Sequence, residues 1–116
     1  MSTAIQSIAL DEGFGPAAAA EGRDGGSWKR TIWSDEGRSN TIVAVWKAEP
    51  GTYVFPPRSL EETFLVAEGE ALCKLGDKPA ERIGAGSIVR VREGESITLE
   101  ILSPFRKLAT VVPRSR

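Results

Sequence analysis

Histidine is absent from the 116 residues of the chain. That removes the commonest general base, the commonest metal ligand, and every nucleophile that relies on a neighbouring imidazole. Cysteine occurs once, as Cys73, so no disulfide can form within the chain and a reducing, cytoplasmic setting is expected. No apolar stretch approaches the roughly 18 residues that span a bilayer. The apolar segment AIQSIAL near the start is short and has no lysine or arginine before it. Neither a membrane partner nor a secretory signal is expected. An excess of one charge is missing too: 15 Lys and Arg against 16 Asp and Glu give a formal net charge of −1, which implies no nucleic-acid partner. Finally, no window sustains the hydrophobic period of an amphipathic helix.

What is present reads as strands. Hydrophobic residues at 41% and charged residues at 27% suit a single folded domain rather than a disordered chain. After a short apolar run at 5–10, residues 13–27 are rich in Gly and Ala without a period, and read as a loop or loose arm. From there the chain breaks into short apolar or β-branched runs: 27–33, 41–48, 52–55, 63–67, 70–75, a brief one before Gly84, 87–92, 96–102 and 106–112. Turn chemistry separates them, as in SDEGRSN, Pro50-Gly51, Glu68-Gly69 and Glu93-Gly94. This pattern predicts an all-β antiparallel barrel or sandwich. The expected organisation is an N-terminal strand and arm over 1–27, a β-domain over 28–113 and a tail over 114–116. Gly69 and Gly94 fall where strands reverse, so positive φ is expected at both.

Two stretches share a frame. The first runs from Gly51 through Glu62 to Gly69; the second runs from Gly86 through Gly94 to Ile97 and Ile101. The frame resembles the two signature motifs of the cupin superfamily. The first of these has two histidines and a glutamate between glycines, and the second has proline, glycine, histidine and asparagine after its opening glycine. Here Pro56 or Pro57 and Arg58 or Ser59 fall at the first two histidines, depending on how the gap is counted. Arg92 stands for the proline, Ile97 for the third histidine and Ile101 for the asparagine. The flanks are similar to the small cupins related to ureidoglycine aminohydrolase, through Gly37-Arg38, Trp46 ahead of Pro50-Gly51, Glu62 and Arg106-Lys107.

The resemblance implies a single small antiparallel β-barrel or jelly roll with Glu62 and Ile97 pointing into its lumen. Alternation then places Phe64 and Val66 inward with Glu62, and Leu99 and Ile101 inward with Ile97. Such a lumen is apolar around one carboxylate, too few ligands for a metal, and no metal or other cofactor is expected. Glu62 is either a desolvated acid or base, or a carboxylate paired with Arg58, Arg90 or Arg92. Arg58 and Arg92 could hold an anion through their planar forks, or face solvent. Trp46, Phe64 and Ile97 could line a ligand site, or simply pack the core. Tyr53, the one tyrosine, offers a hydroxyl that could pass a proton. Cys73 reads as an inert buried thiol and Lys107 as structural.

Three functions stay open. One is a module that binds a small anionic or apolar metabolite through Arg58, Glu62, Phe64, Trp46, Ile97 and Arg92. Another is a metal-independent isomerase, lyase or C–N hydrolase using Glu62 with Tyr53 or Arg58. The last is a homodimeric interaction module whose residues 5–10 add to a sheet edge.

Overall fold

The computed structural model describes residues 26–114. Among these are nine strands and no helix: β1 (Ser27–Ser34), β2 (Ile42–Ala48), β3 (Gly51–Phe55), β4 (Leu60–Glu68), β5 (Ala71–Leu75), β6 (Glu81–Ile83), β7 (Ile88–Val91), β8 (Ile97–Ile101) and β9 (Phe105–Pro113). They form two antiparallel sheets, a larger one in the order β1-β2-β9-β4-β7 and a smaller one in the order β3-β8-β5-β6.

Strict alternation makes these runs strands rather than helices. Glu62, Phe64 and Val66 on β4 are buried, as are Ile97, Leu99 and Ile101 on β8 and Phe105, Lys107 and Ala109 on β9. The residues between them face out, so each strand offers one apolar face, and the two sheets bury those faces against each other. Tyr53, Phe64, Leu99 and Phe105 are the large side chains at the centre. Each such burial contributes about 1.5–3 kcal/mol against an exposed reference.

The all-β jelly-roll expectation holds, with one correction. The sheets do not join into a closed barrel, because β1, β7, β3 and β6 are left as edges among the described residues. Closure needs one continuous ladder, and here the inner faces meet by packing instead. β4 also begins earlier than the apolar run over 63–67. Leu60, Glu61 and Glu62 pair with Pro113, Val112 and Val111 of β9. Glutamates are poor strand formers, and here the partner strand overrides that preference. The strand and arm read over residues 5–10 and 13–27 lie, up to residue 25, outside the described residues. At the other end Arg114 is tied back: its N–H donates to the Ser59 carbonyl at 2.9 Å and its guanidinium to Glu61 at 3.0 Å.

The β4–β5 reversal shows why glycine stands in the first motif. Gly69 has φ 90°, and a Cβ there would lie 2.3 Å from the Pro104 carbonyl oxygen. Gly37 has a similar φ of 82° with nothing within 4 Å of such a Cβ. Gly69→Ala is therefore expected to cost about 3 kcal/mol or more, against about 1 kcal/mol for Gly37→Ala. Thermal unfolding of the two variants checks this, and equal losses would show that the close approach at Gly69 contributes nothing.

Candidate functional site

Rows of inward side chains cross β2, β9 and β4 on the larger sheet. Trp46, Lys107 and Val66 form one row, Ala44, Ala109 and Phe64 the next, and Ile42, Val111 and Glu62 a third. The adjacent alanines of the middle row leave a trough between taller neighbours. The result is a cleft of about 400 Å³ whose walls include Trp46, Phe55, Arg58, Leu60, Glu62 and Lys107. Trp46 is fixed by edge-on packing against Tyr53, Phe55 and Phe105, with ring centroids 5.4, 6.1 and 6.2 Å away.

The polar centre of the cleft is an ion cluster. Lys107 starts opposite Val66 and reaches along β9, past Ala109, to Glu62. Its Nζ lies 4.1 Å from the Phe64 ring centroid and donates to Glu62 Oε2 at 2.5 Å. Arg58, two residues before β4, donates to the other oxygen, Glu62 Oε1, at 3.1 Å. Its guanidinium carbon sits 5.5 Å from the Phe55 ring centroid. The two inner partners are nearly closed to solvent, with side-chain exposures of 8% for Lys107 and 6% for Glu62, whereas Arg58 keeps 30%. The Nε of Arg58 is buried with no hydrogen-bond partner.

Burial alone would raise the Glu62 carboxyl. The ammonium of Lys107, and after it the guanidinium of Arg58, outweigh that and hold it below the usual carboxylate range. For Lys107 burial dominates and pushes the ammonium down, with Glu62 pulling it back and Arg58 adding to the fall. Together they make an ion pair whose lysine releases its proton more readily than an exposed one. Cys73 is buried nearby on β5, and burial pushes its thiol up to about 11, which keeps it protonated and unreactive.

Of the residues singled out in the sequence, Arg58, Glu62 and Trp46 line the cleft, and Phe64 lies beneath Lys107. Tyr53 does not line it. Its hydroxyl is 2.8 Å from the Gly26 carbonyl and 2.9 Å from that of Glu49, so it ties β1 and the β2–β3 turn to the core. Ile97 is buried among the apolar side chains of β8 and its neighbours. Arg92 lies exposed in the turn after β7, where its N–H donates to Glu95. The partners foreseen for Glu62 also need correction. Arg90 stands opposite Thr63 on the outward side and bonds Glu61, while Lys107, expected to be structural, takes its place at Glu62. Strand parity points to Lys107, because Phe105 and Ala109 flank it at the same inward spacing.

A metal does not fit here. Glu62 already accepts one cation on each oxygen, and a third would be repelled by both. Among the described residues no group of three or more His, Cys, Asp or Glu side chains could hold an ion. The pair itself is testable. Glu62→Leu leaves the buried ammonium of Lys107 without its carboxylate and is expected to cost about 3–5 kcal/mol. Lys107→Met costs less because Arg58 still pairs Glu62, and the double variant costs less than Glu62→Leu. The folded carboxyl titrates below the ordinary 4.5. Its stabilisation is therefore complete above that value and is lost as pH falls through the folded value. Urea unfolding across that acid range is expected to show a shallower decline for the double variant. Asp35, held down by hydrogen bonds from Ser39, and Glu61, held down by Arg114 and Arg90, retain part of the slope. A loss in the double variant equal to the sum of the two single losses would show that the charges are not coupled.

No protein-family model and no curated protein matches the chain. Solved structures do match. A predicted oxalate decarboxylase from Thermotoga maritima is 19% identical with a TM-score of 0.77, over 93% of this chain and 99% of that one. KdgF from Halomonas sp. is 11% identical with a TM-score of 0.69, over 94% of each chain. The cupin domain of Cnp3 from Schizosaccharomyces pombe is 13% identical with a TM-score of 0.66, over 75% of this chain and 64% of that one. Identities this low carry the architecture and nothing finer: the chain has the cupin fold.

Proposed function

We propose that the protein binds a small metabolite that joins a carboxylate to an apolar body, seated in the cleft above Ala44 and Ala109. One observation supports this most: two cations, Arg58 and Lys107, share one carboxylate in a largely apolar trough. The cluster carries a positive charge that Glu62 does not neutralise, and the partly exposed guanidinium of Arg58 has donors beyond the one it gives to Glu62. Lys29 on the cleft wall adds to the same field. Trp46, Phe55 and Leu60 supply apolar contact, so the site is built like many small-molecule pockets, greasy walls around a few polar groups.

A role for Glu62 as the base that takes a proton directly from a substrate carbon has less support, because both of its oxygens are already engaged by cations and the proton within its reach is that of Lys107. Tyr53, the other candidate, is committed to backbone carbonyls. The finer resemblance, to ureidoglycine aminohydrolase, belongs to this proposal and brings ureido acids into the set of ligands to test.

A thermal-shift screen over organic acids, ureido acids and sugars tests the reading. An aromatic acid such as phenyllactate at 100 times its Kd adds about 2.7 kcal/mol of stability, a rise of about 10 °C or more in Tm. Arg58→Ala is expected to weaken binding by about tenfold to a hundredfold, the usual worth of a charge-assisted hydrogen bond. Ala109→Leu, which fills the trough, abolishes the shift. Should no acid raise Tm, the proposed function is wrong.

A further inference from the structure

Lys107 is placed unlike any other lysine described in the chain. Its Nζ lies at the base of a cleft, against a carboxylate at 2.5 Å and near aromatic rings at 4.1 and 5.2 Å. Lys29, Lys74 and Lys78 are exposed and Lys47 lies over Trp28. Arginine in this place would also be a cation, but its guanidinium is never a nucleophile, whereas the lysine amine is one once deprotonated. An amine in apolar surroundings, beside a group that can take its proton, is the arrangement that makes lysine attack carbonyl carbon. Arg58 and Lys107 sit on opposite oxygens of the Glu62 carboxylate and both line the cleft, so a guanidinium and an amine open onto the same space beside that carboxylate. A 2-oxo acid matches that space, since its carboxylate and its electrophilic keto carbon are directly bonded.

We propose that Lys107 captures 2-oxo acids as an imine, its amine adding to the keto carbon while Arg58 holds the acid's carboxylate. This rests on the carboxylate-binding reading above and adds a covalent bond to it. The ammonium first passes a proton to Glu62. The freed lone pair forms the C–N bond, and the carbonyl π electrons move to oxygen, which takes a proton from the new ammonium through Glu62. The protonated Glu62 then gives its proton to that hydroxyl. Water leaves as the C–O bond breaks, and the nitrogen lone pair closes the C=N bond. The balance is one ammonium and one ketone giving one iminium and one water, with Glu62 returned as carboxylate and no oxidant or reductant consumed. Burial favours the first step from the side of Lys107, whose ammonium is pushed below its ordinary value. The two cations that hold Glu62 low oppose it, and the proton moves along a hydrogen bond already formed. Trp46, Phe55 and Leu60 favour 2-oxo acids with an aromatic or branched side chain.

The test uses the full chain with phenylpyruvate, reduction by cyanoborohydride, and intact and peptide mass spectrometry. One reduced adduct per chain is expected at Lys107, exceeding any exposed lysine by about tenfold or more. Phenyllactate, which lacks the keto group, leaves no adduct and competes with phenylpyruvate for trapping. Lys107→Arg removes the adduct and keeps a cation for Glu62. Arg58→Ala, which keeps the nucleophile, slows trapping by about tenfold or more. An adduct spread evenly over exposed lysines overturns the inference. So does a Tm rise with both acids but no trapping, which leaves the binding reading intact. No Tm rise and no adduct overturns both.

Discussion

The contact between Glu62 and Lys107 is the constraint that the inner face of this protein is arranged around. An ionised carboxylate inside an apolar sandwich costs several kcal/mol unless a partner offsets it. Here the partner is an ammonium drawn from the same sheet, delivered along β9 across the space left by Ala109. The pair needs β4 and β9 in their observed register, because a slip of one residue in either strand would turn its charge to the outer face and leave the other buried alone. The surrounding residues follow from that. Phe64 offers its ring to the ammonium, Trp46 flanks the lysine stem, and Ala44 and Ala109 give the stem room.

Arg58 does a different job from Lys107 although both touch the same carboxylate. It is partly open to water and rests on Phe55, so its charge is available at the mouth of the cleft. Lys107 is enclosed, and its charge is strongly felt only by groups that enter. On the proposed reading, a cluster with one accessible and one enclosed cation distinguishes ligands by depth as well as by sign. The fold contributes the walls, and these few residues contribute the chemistry, which is why similarity in architecture to other cupin-fold proteins says little about substrate.

Much of this was legible in the chain. Period-two alternation in LEETFLVAE and ITLEI was enough to put Glu62, Phe64 and Val66 on one inner face and Ile97, Leu99 and Ile101 on the other. The turns followed from their glycines. The partner of Glu62 was harder, since it depends on which strand lies beside β4, and β9 is more than forty residues away in the sequence at Lys107, with a separation of 45. The same alternation in IVRV, with Val89 and Val91 buried, excludes Arg90 from the interior. Lysine on a strand is ordinarily solvent-facing, so composition argued against the parity that correctly places Lys107. Tyr53 misled for a similar reason. A tyrosine hydroxyl suits proton transfer and carbonyl bonding equally, and only the position of Gly26 and Glu49 decides between them.

The strand order has a consequence for how the chain becomes a protein. β9, the last strand, occupies the middle of the larger sheet, between β2 and β4. Until it is synthesised, those two strands have no common neighbour, their facing edges are unpaired, and Glu62 has no ammonium to meet. Assembly must therefore wait for the C-terminal segment, as expected of a topology dominated by distant pairings, which fold slowly. A nascent chain lacking that final strand is not a smaller version of the domain but an open pair of half-sheets, exposed to the association that unpaired edges invite.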